Sequence, residues 1–255
     1  MSLFNDKLKQ ISLKEVISLM IVLFVLIFII NQLNIFHIDP IFINIVLICY
    51  ILYKIGNFSS LKQDIIEAFS INSIKYVLLI VILNIFLSYG LLYLSNLILD
   101  MFPSLNFLVY FNMSSIDVTY SIVISSFVAT VFISPVFEEL FFRGILMNKL
   151  NIIVPPLFSI LITSLLFAAF HTFGNITAAF IFSICMAILY IKTDNIVVAI
   201  LAHFLNNLIA ESIVFLDTNN LLFTDGVVMG CVSFLAIVSA ILLIVSIVRE
   251  LNKIK

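Results

Sequence analysis

The sequence predicts an all-α, polytopic membrane protein of about eight transmembrane helices, on three observations. Hydrophobic residues make up 64% of the 255 residues and charged residues only 10%, with a mean hydropathy of +1.29. A water-soluble domain has too little core to hide that much apolar surface. Apolar runs of about 17–25 residues, the length a helix needs to cross a bilayer, recur along the chain. The basic residues, finally, gather in alternate loops.

The apolar runs fall at about 16–36, 40–56, 74–99, 120–149, 155–173, 175–191, 195–216 and 227–248. Residues 1–15 are polar and carry Lys7, Lys9 and Lys14. The run after them is β-branched and has no small-residue cleavage signal, so it is expected to be a retained first span and not a removed signal peptide. The second and sixth runs are short. No repeat, low-complexity tract or linker divides the chain, and residues 1–255 are expected to form one membrane domain.

Lys7, Lys9 and Lys14 precede the first span, and Lys54, Lys62 and Lys75 lie between the second and third. Arg143 and Lys149 fall at the end of the fourth, Lys192 between the sixth and seventh, and Arg249, Lys253 and Lys255 after the last. With eight spans all of these fall on one side or on the approach to it. The other loops hold no Lys or Arg, and His37, Asp39, Asp100, Asp117, Asp217 and Asp225 as their acidic residues and histidine. The positive-inside rule then puts both termini in the cytoplasm. Seven or nine spans would break the segregation.

Between the second and third spans, Lys62, Asp64 and Glu67 alternate with Leu61, Ile65, Ile66 and Phe69. That spacing suits a helix lying in the membrane interface, and equally an ordinary connecting helix. Cys49, Cys185 and Cys231 all sit in apolar runs without metal-knuckle or redox spacing and read as small packing residues. No basic tract points to nucleic acid.

Four polar clusters interrupt the apolar spans: Glu138, Glu139 and Arg143 in the fourth, His171 at the end of the fifth, His203 with Asn207 in the seventh, and Glu211 one turn further. Charge at membrane depth is expensive, so such groups pair, line a wet cavity or carry chemistry. Glu139 and Arg143 are spaced i,i+4 in the favourable order for an ion pair, whereas Glu138 is about 100° away on the helix and is left without that partner. A helix-packing ion pair alone would account for Glu139 and Arg143. Pro135 removes a backbone hydrogen bond just before them, and Gly144 is a candidate to end or bend the helix just after. His203, Asn207 and Glu211 share one helical face.

Depth agrees. At about 1.5 Å per residue, Glu138 lies roughly 17 Å from Lys149, His203 roughly 16 Å from Lys192, and His171 roughly 24 Å from Pro155. One carboxylate, two imidazoles and a carboxamide at similar depth suit hydrolysis. Desolvation strengthens Glu138 as a general base for water. His171 could orient that water, and His203 and Asn207 could donate to a developing oxyanion. No serine or cysteine nucleophile stands beside a base. Glu138, His171 and His203 also make a three-ligand zinc set, although the H-E-x-x-H motif is absent. Chemistry alone leaves glutamate-activated and metal-activated water both open.

The set Glu138-Glu139-x-x-x-Arg143, Phe167-x-x-x-His171 and His203-x-x-x-Asn207 resembles the three motifs of the CAAX protease and bacteriocin-processing family. That family comprises intramembrane glutamic endopeptidases, including the type II CAAX prenyl endopeptidases and the bacterial Abi proteins. The motifs lie within residues 120–215, in order and with no substituted position. The resemblance implies an eight-helix core with a catalytic chamber inside the membrane. It implies that Glu138 and His171 activate water, that His203 and Asn207 form the oxyanion site, and that Glu139 and Arg143 support it. It favours a reaction without a cofactor, zinc being the alternative, and partners limited to the lipid bilayer and a peptide or membrane-protein substrate. Processing of a peptide signal or bacteriocin, or self-immunity, are the roles it suggests. The competing readings are a non-catalytic scaffold for a sensor kinase or other membrane partner and a proton-coupled transporter. The transporter is disfavoured by the lack of an inverted repeat.

The topology is open to direct test. A reporter active only in the cytoplasm should work when fused after Lys255 and fail when inserted between Asp217 and Asp225; the reverse result would overturn the orientation.

Overall fold

The computed structural model describes residues 3–34, 38–102, 126–171 and 176–253. Among these residues every regular element is a helix: α1 (Leu3–Gln10), α2 (Leu13–Gln32), α3 (Ile41–Ile55), α4 (Leu61–Ala68) and α5 (Ile71–Met101), then α6 over residues 126–150. These are followed by α7 (Pro156–Ala169), α8 (Ile176–Thr193), α9 (Ile196–Leu216), the single turn α10 (Leu221–Thr224) and α11 (Gly226–Leu251). The eight predicted spans correspond to α2, α3, α5, α6, α7, α8, α9 and α11. His37, Asp117 and Lys255, residues 120–125 of the fourth run, 172–173 of the fifth and 175 of the sixth lie outside the described residues.

Helices α2, α5, α8, α9 and α11 are each long and apolar enough to cross a membrane, whereas α3 and α7 are shorter apolar helices. The outer surface is apolar: Phe24 on α2 is 64% exposed and Phe234 on α11 is 67% exposed. Hydrocarbon accepts such a surface at no cost, because lipid tails are as apolar as the side chains that meet them. The protein is therefore an all-α, multi-pass membrane protein.

Both ends of the chain lie at the same end of the bundle, as an even number of spans requires. Lys9 Nζ on α1 is 3.0 Å from Asp194 Oδ1 in the α8–α9 turn, and Lys192 Nζ is 3.8 Å from Glu250 Oε1 near the end of α11. Asn5, fully buried, donates its amide to the Asp194 carbonyl, and its Oδ1 accepts from the N–H of Ile196. Lys149 Nζ donates to the Lys9 carbonyl at 2.9 Å. The polar N-terminal stretch is thus a helix docked across the base of the bundle. Helix α4 docks at the same end, its Asp64 carbonyl accepting from Asn195 Nδ2 at 2.8 Å. Its Ile65 and Ile66, with Phe69 just beyond, face outward, as an interfacial helix requires.

Two glycines mark close approaches. Gly144, a candidate to end or bend α6, does not end it; the helix continues to residue 150. Its lack of a side chain makes room for Leu8, whose Cδ2 would lie 2.3 Å from a Cβ at that position. Gly90 on α5 does the same for α11, since a Cβ there would lie 2.3 Å from the Cβ of Ala236. Ala236 is anchored to the backbone and cannot swing aside.

Replacing a helical glycine by alanine ordinarily gains about 0.5–1 kcal/mol. At Gly90 overpacking, about 1–3 kcal/mol, should outweigh that gain. Gly90→Ala is therefore expected to lower the thermal midpoint in detergent, and Ala236→Gly in the same chain to restore it.

Candidate active site

The fourth predicted span supplies the charge. Glu139 and Arg143 are 0% and 1% exposed, and Arg143 Nη1 lies 3.0 Å from Glu139 Oε1. The other terminal nitrogen, Nη2, donates to Ser183 Oγ at 2.8 Å and to the Ser183 carbonyl at 3.2 Å. The guanidinium also stacks over the Phe167 ring, 4.7 Å from its centroid. A buried pair survives desolvation only when its remaining hydrogen-bonding capacity is met, and Ser183 on α8 meets much of the arginine's.

Glu139 does more than pair with Arg143. The same Oε1 accepts from His203 Nδ1 on α9 at 2.8 Å. This orients the imidazole with Nδ1 on Glu139, so that Nε2 faces Glu138, 3.8 Å from Oε2. The ring is held edge-on by Phe167 and Phe182, at 5.7 and 5.3 Å between centroids. Glu139 Oε2 is buried and has no hydrogen-bond partner among the described residues. Glu138, by contrast, is 25% exposed at its side chain. It lies on the wall of an apolar cavity of about 620 Å³ that Met20, Phe24, Phe137, Phe142 and Phe170 also line.

His171 reaches this depth because α7 is short. Its 14 residues rise about 21 Å, less than the roughly 30 Å of a hydrocarbon core. A helix of that length is too short to cross the core alone, and end groups at membrane depth must find partners in the protein. His171 meets this need twice: its N–H donates to the Ala168 carbonyl at 2.9 Å and its Nδ1 to the Phe167 carbonyl at 3.0 Å. With Nδ1 so used, Nε2 carries a free lone pair. His171 and Phe167 border both the apolar cavity and a second one of about 310 Å³, which His203, Asn207 and Glu211 line.

Asn207 is placed by a defect in α6. Residues Ala129–Ile133 run in π register, with the N–H of Ser134 bonded five residues back to the Ala129 carbonyl. In that register the Thr130 carbonyl would need the N–H of residue 135, which is proline and has none. Asn207 Nδ2 fills the gap at 2.9 Å. A second π stretch, Leu140–Met147, begins directly after Glu139, and Asn148 Nδ2 donates to the Arg143 and Gly144 carbonyls within it. Such π turns concentrate at functional sites. Pro135 loosens the helix as expected, without breaking it.

The predicted residues thus fall into a connected set. Glu138, Glu139, Arg143 and His203 meet directly, His171 joins through Phe167 and the two cavities, and Asn207 lies one turn from His203. Ser183, Phe182 and the contacts of Phe167 were not foreseen; a serine in an apolar helix gives no sequence signal. Asn84 gives one that was passed over, a carboxamide amid the apolar run of α5. It is 4% exposed and its Nδ2 donates to Asn206 Oδ1 at 2.9 Å. As for zinc, among the described residues no group of three or more His, Cys, Asp or Glu is placed to hold a metal ion, so Glu138, His171 and His203 do not form a ligand set as they stand.

Residues 120–209 match the model of the family described as Rce1-like, type II CAAX prenyl endopeptidase. All seven motif residues, from Glu138 to Asn207, lie within the matched stretch, so the family resemblance read from them holds. The match supports an intramembrane endopeptidase of the CAAX type in general terms. No curated protein and no solved structure matches the chain.

Removing one member of a buried ion pair strands the other, at about 3–5 kcal/mol. Glu139→Ala should therefore destabilise the protein by that order in a chemical unfolding series. Adding Arg143→Met, which removes the stranded charge, should recover part of the loss.

Proposed function

We propose that the protein is a glutamic endopeptidase that cuts a peptide or membrane-protein segment within the membrane, with Glu138 as the base that activates water. The observation that carries this reading is the placement of Glu138 on the wall of the apolar cavity, 3.8 Å from His203 Nε2, while Glu139 holds the other ring nitrogen at 2.8 Å. An apolar substrate segment fits the larger cavity, whose wall is mostly aliphatic and aromatic. Water beside Glu138 adds its oxygen to the scissile carbonyl carbon and gives its proton to the Glu138 carboxylate. His171 Nε2 accepts a hydrogen bond from the water's other O–H, which stays on the oxygen, and so aims the attack. His203, doubly protonated and steadied by Glu139, offers its Nε2–H to the oxyanion. Asn207 has one amide hydrogen left after the Thr130 carbonyl and offers it to the same oxygen. Collapse of the tetrahedral species breaks the C–N bond, and Glu138 returns its proton to the leaving amine.

Both termini are cytoplasmic in this reading, and the substrate is a peptide precursor, such as a signal or bacteriocin, or a membrane-proximal segment of a larger protein. No metal takes part.

Glu138→Gln should abolish cleavage in reconstituted vesicles, a fall of at least about 10²–10⁴-fold for loss of the general base, with the thermal midpoint little changed. Full activity in this variant would sink the mechanism, and partner binding that persists without any cleavage by the wild type would favour a scaffold. Activity should withstand a zinc chelator; loss restored by added zinc would favour the metal reading. Asn207→Ala is expected to lower both activity and stability, because it also uncaps the Thr130 carbonyl, at about 1–3 kcal/mol.

A further inference from the structure

We propose that the second cavity is a subsite for a cationic side chain of the substrate, Lys or Arg, with Glu211 as its counter-ion. The inference rests on the endopeptidase reading above and adds a specificity to it. The cavity measures about 310 Å³ and lies between α5 and α9. Among the described residues Glu211 is the one carboxylate on its wall, and no Lys or Arg lines it. A carboxylate at membrane depth without a counter-ion is costly, and a cation brought by the substrate removes that cost.

Two further features of the wall suit a cation. Asn84 is 4% exposed and lines the cavity; its Nδ2 donates to Asn206, while its Oδ1 has no hydrogen-bond partner among the described residues. Tyr89 and Phe223 line it as well, with ring centroids 6.2 Å apart, and aromatic rings attract a cation desolvated beside them. The wall thus combines a negative charge, an acceptor and two aromatic rings, and the protonated His203 on it lies two turns from Glu211, engaged by Glu138 and Glu139. A neutral polar side chain would leave Glu211 uncompensated, and an acidic one would be repelled.

Position relative to the reacting carbonyl follows from the helix. Glu211 is two turns beyond His203 on the same face of α9, roughly 12 Å along the axis. An extended peptide covers that distance in about four residues, and the long arm of Lys or Arg shortens it. The cation is therefore expected within about four residues of the scissile bond, on one side of it only.

The test uses the full-length protein in lipid nanodiscs and apolar peptides in which one lysine, or the uncharged norleucine of similar length, is scanned through the positions around the scissile bond. Wild type should cleave the lysine peptide about tenfold or more faster at one position, as expected for a charge-assisted contact. Glu211→Gln should bring that ratio close to one, and Glu211→Asp should retain much of it. Cleavage without a lysine preference, or a preference that survives Glu211→Gln, overturns the subsite and leaves the endopeptidase reading standing. Binding is read separately in the Glu138→Gln background with a fluorescent lysine peptide. Adding Glu211→Gln should weaken that binding about tenfold. If wild type cleaves nothing the endopeptidase reading fails, and equal binding with and without Glu211→Gln overturns the subsite on its own.

Discussion

The structure of the candidate site depends on one oxygen atom. Oε1 of Glu139 accepts from Arg143 on its own helix and from His203 on α9, so a single buried carboxylate ties two spans together and sets the orientation of an imidazole. Glu139 and Arg143, one residue apart from Glu138 in the first case, let the adjacent carboxylate point into the cavity instead. Division of labour between neighbouring glutamates follows from helical phase: one is shut in with its partners and the other is left a quarter exposed. Ser183 and the face of Phe167 complete the arginine's surroundings, so the network costs less than an isolated pair would.

Departures from regular helix do the remaining positioning. The π register at Ala129–Ile133 and the proline after it leave one carbonyl unmet, and Asn207 reaches across from α9 to meet it. The early end of α7 brings His171 to depth and at the same time gives its Nδ1 something to hold. Both irregularities border cavities, which is where a bilayer tolerates irregular backbone. A bundle of uninterrupted spans would present neither residue in this way.

Much of this was legible in the sequence because membrane insertion leaves few choices. The eight spans follow from hydropathy, and the i,i+4 spacing of Glu139 with Arg143 and of His203 with Asn207 follows from helix geometry. What was not legible depends on contacts between helices far apart in the chain. Nothing near Glu139 indicates that His203, 64 residues away, will share its oxygen. Ser183 carries no signal of its own. The docking of residues 3–10 was hidden for a different reason, since a polar amphipathic stretch reads as a solvated tail until its partner surface is known. Gly144 was misread for the same cause: its role is clearance for Leu8, a residue that sequence gives no reason to place beside it.

That docking has a bearing on biosynthesis. Helix α1 is made before the spans that follow it, yet Lys9 finds Asp194 across a separation of 185 residues, and Asn5 finds partners at the same distant turn. Closing so long a loop is slow compared with forming the local helix pairs. The contacts of this helix with the α8–α9 turn must therefore wait until six spans have been threaded into the bilayer, although Phe4 can meet Ser60 earlier. By then Glu138, Glu139 and Arg143 are already at depth, and the arrival of α9 supplies His203 and the docking turn together. The base of the bundle and the imidazole facing Glu138 are thus completed in the same late event, so a chain stalled before residue 194 would hold its charged cluster half assembled.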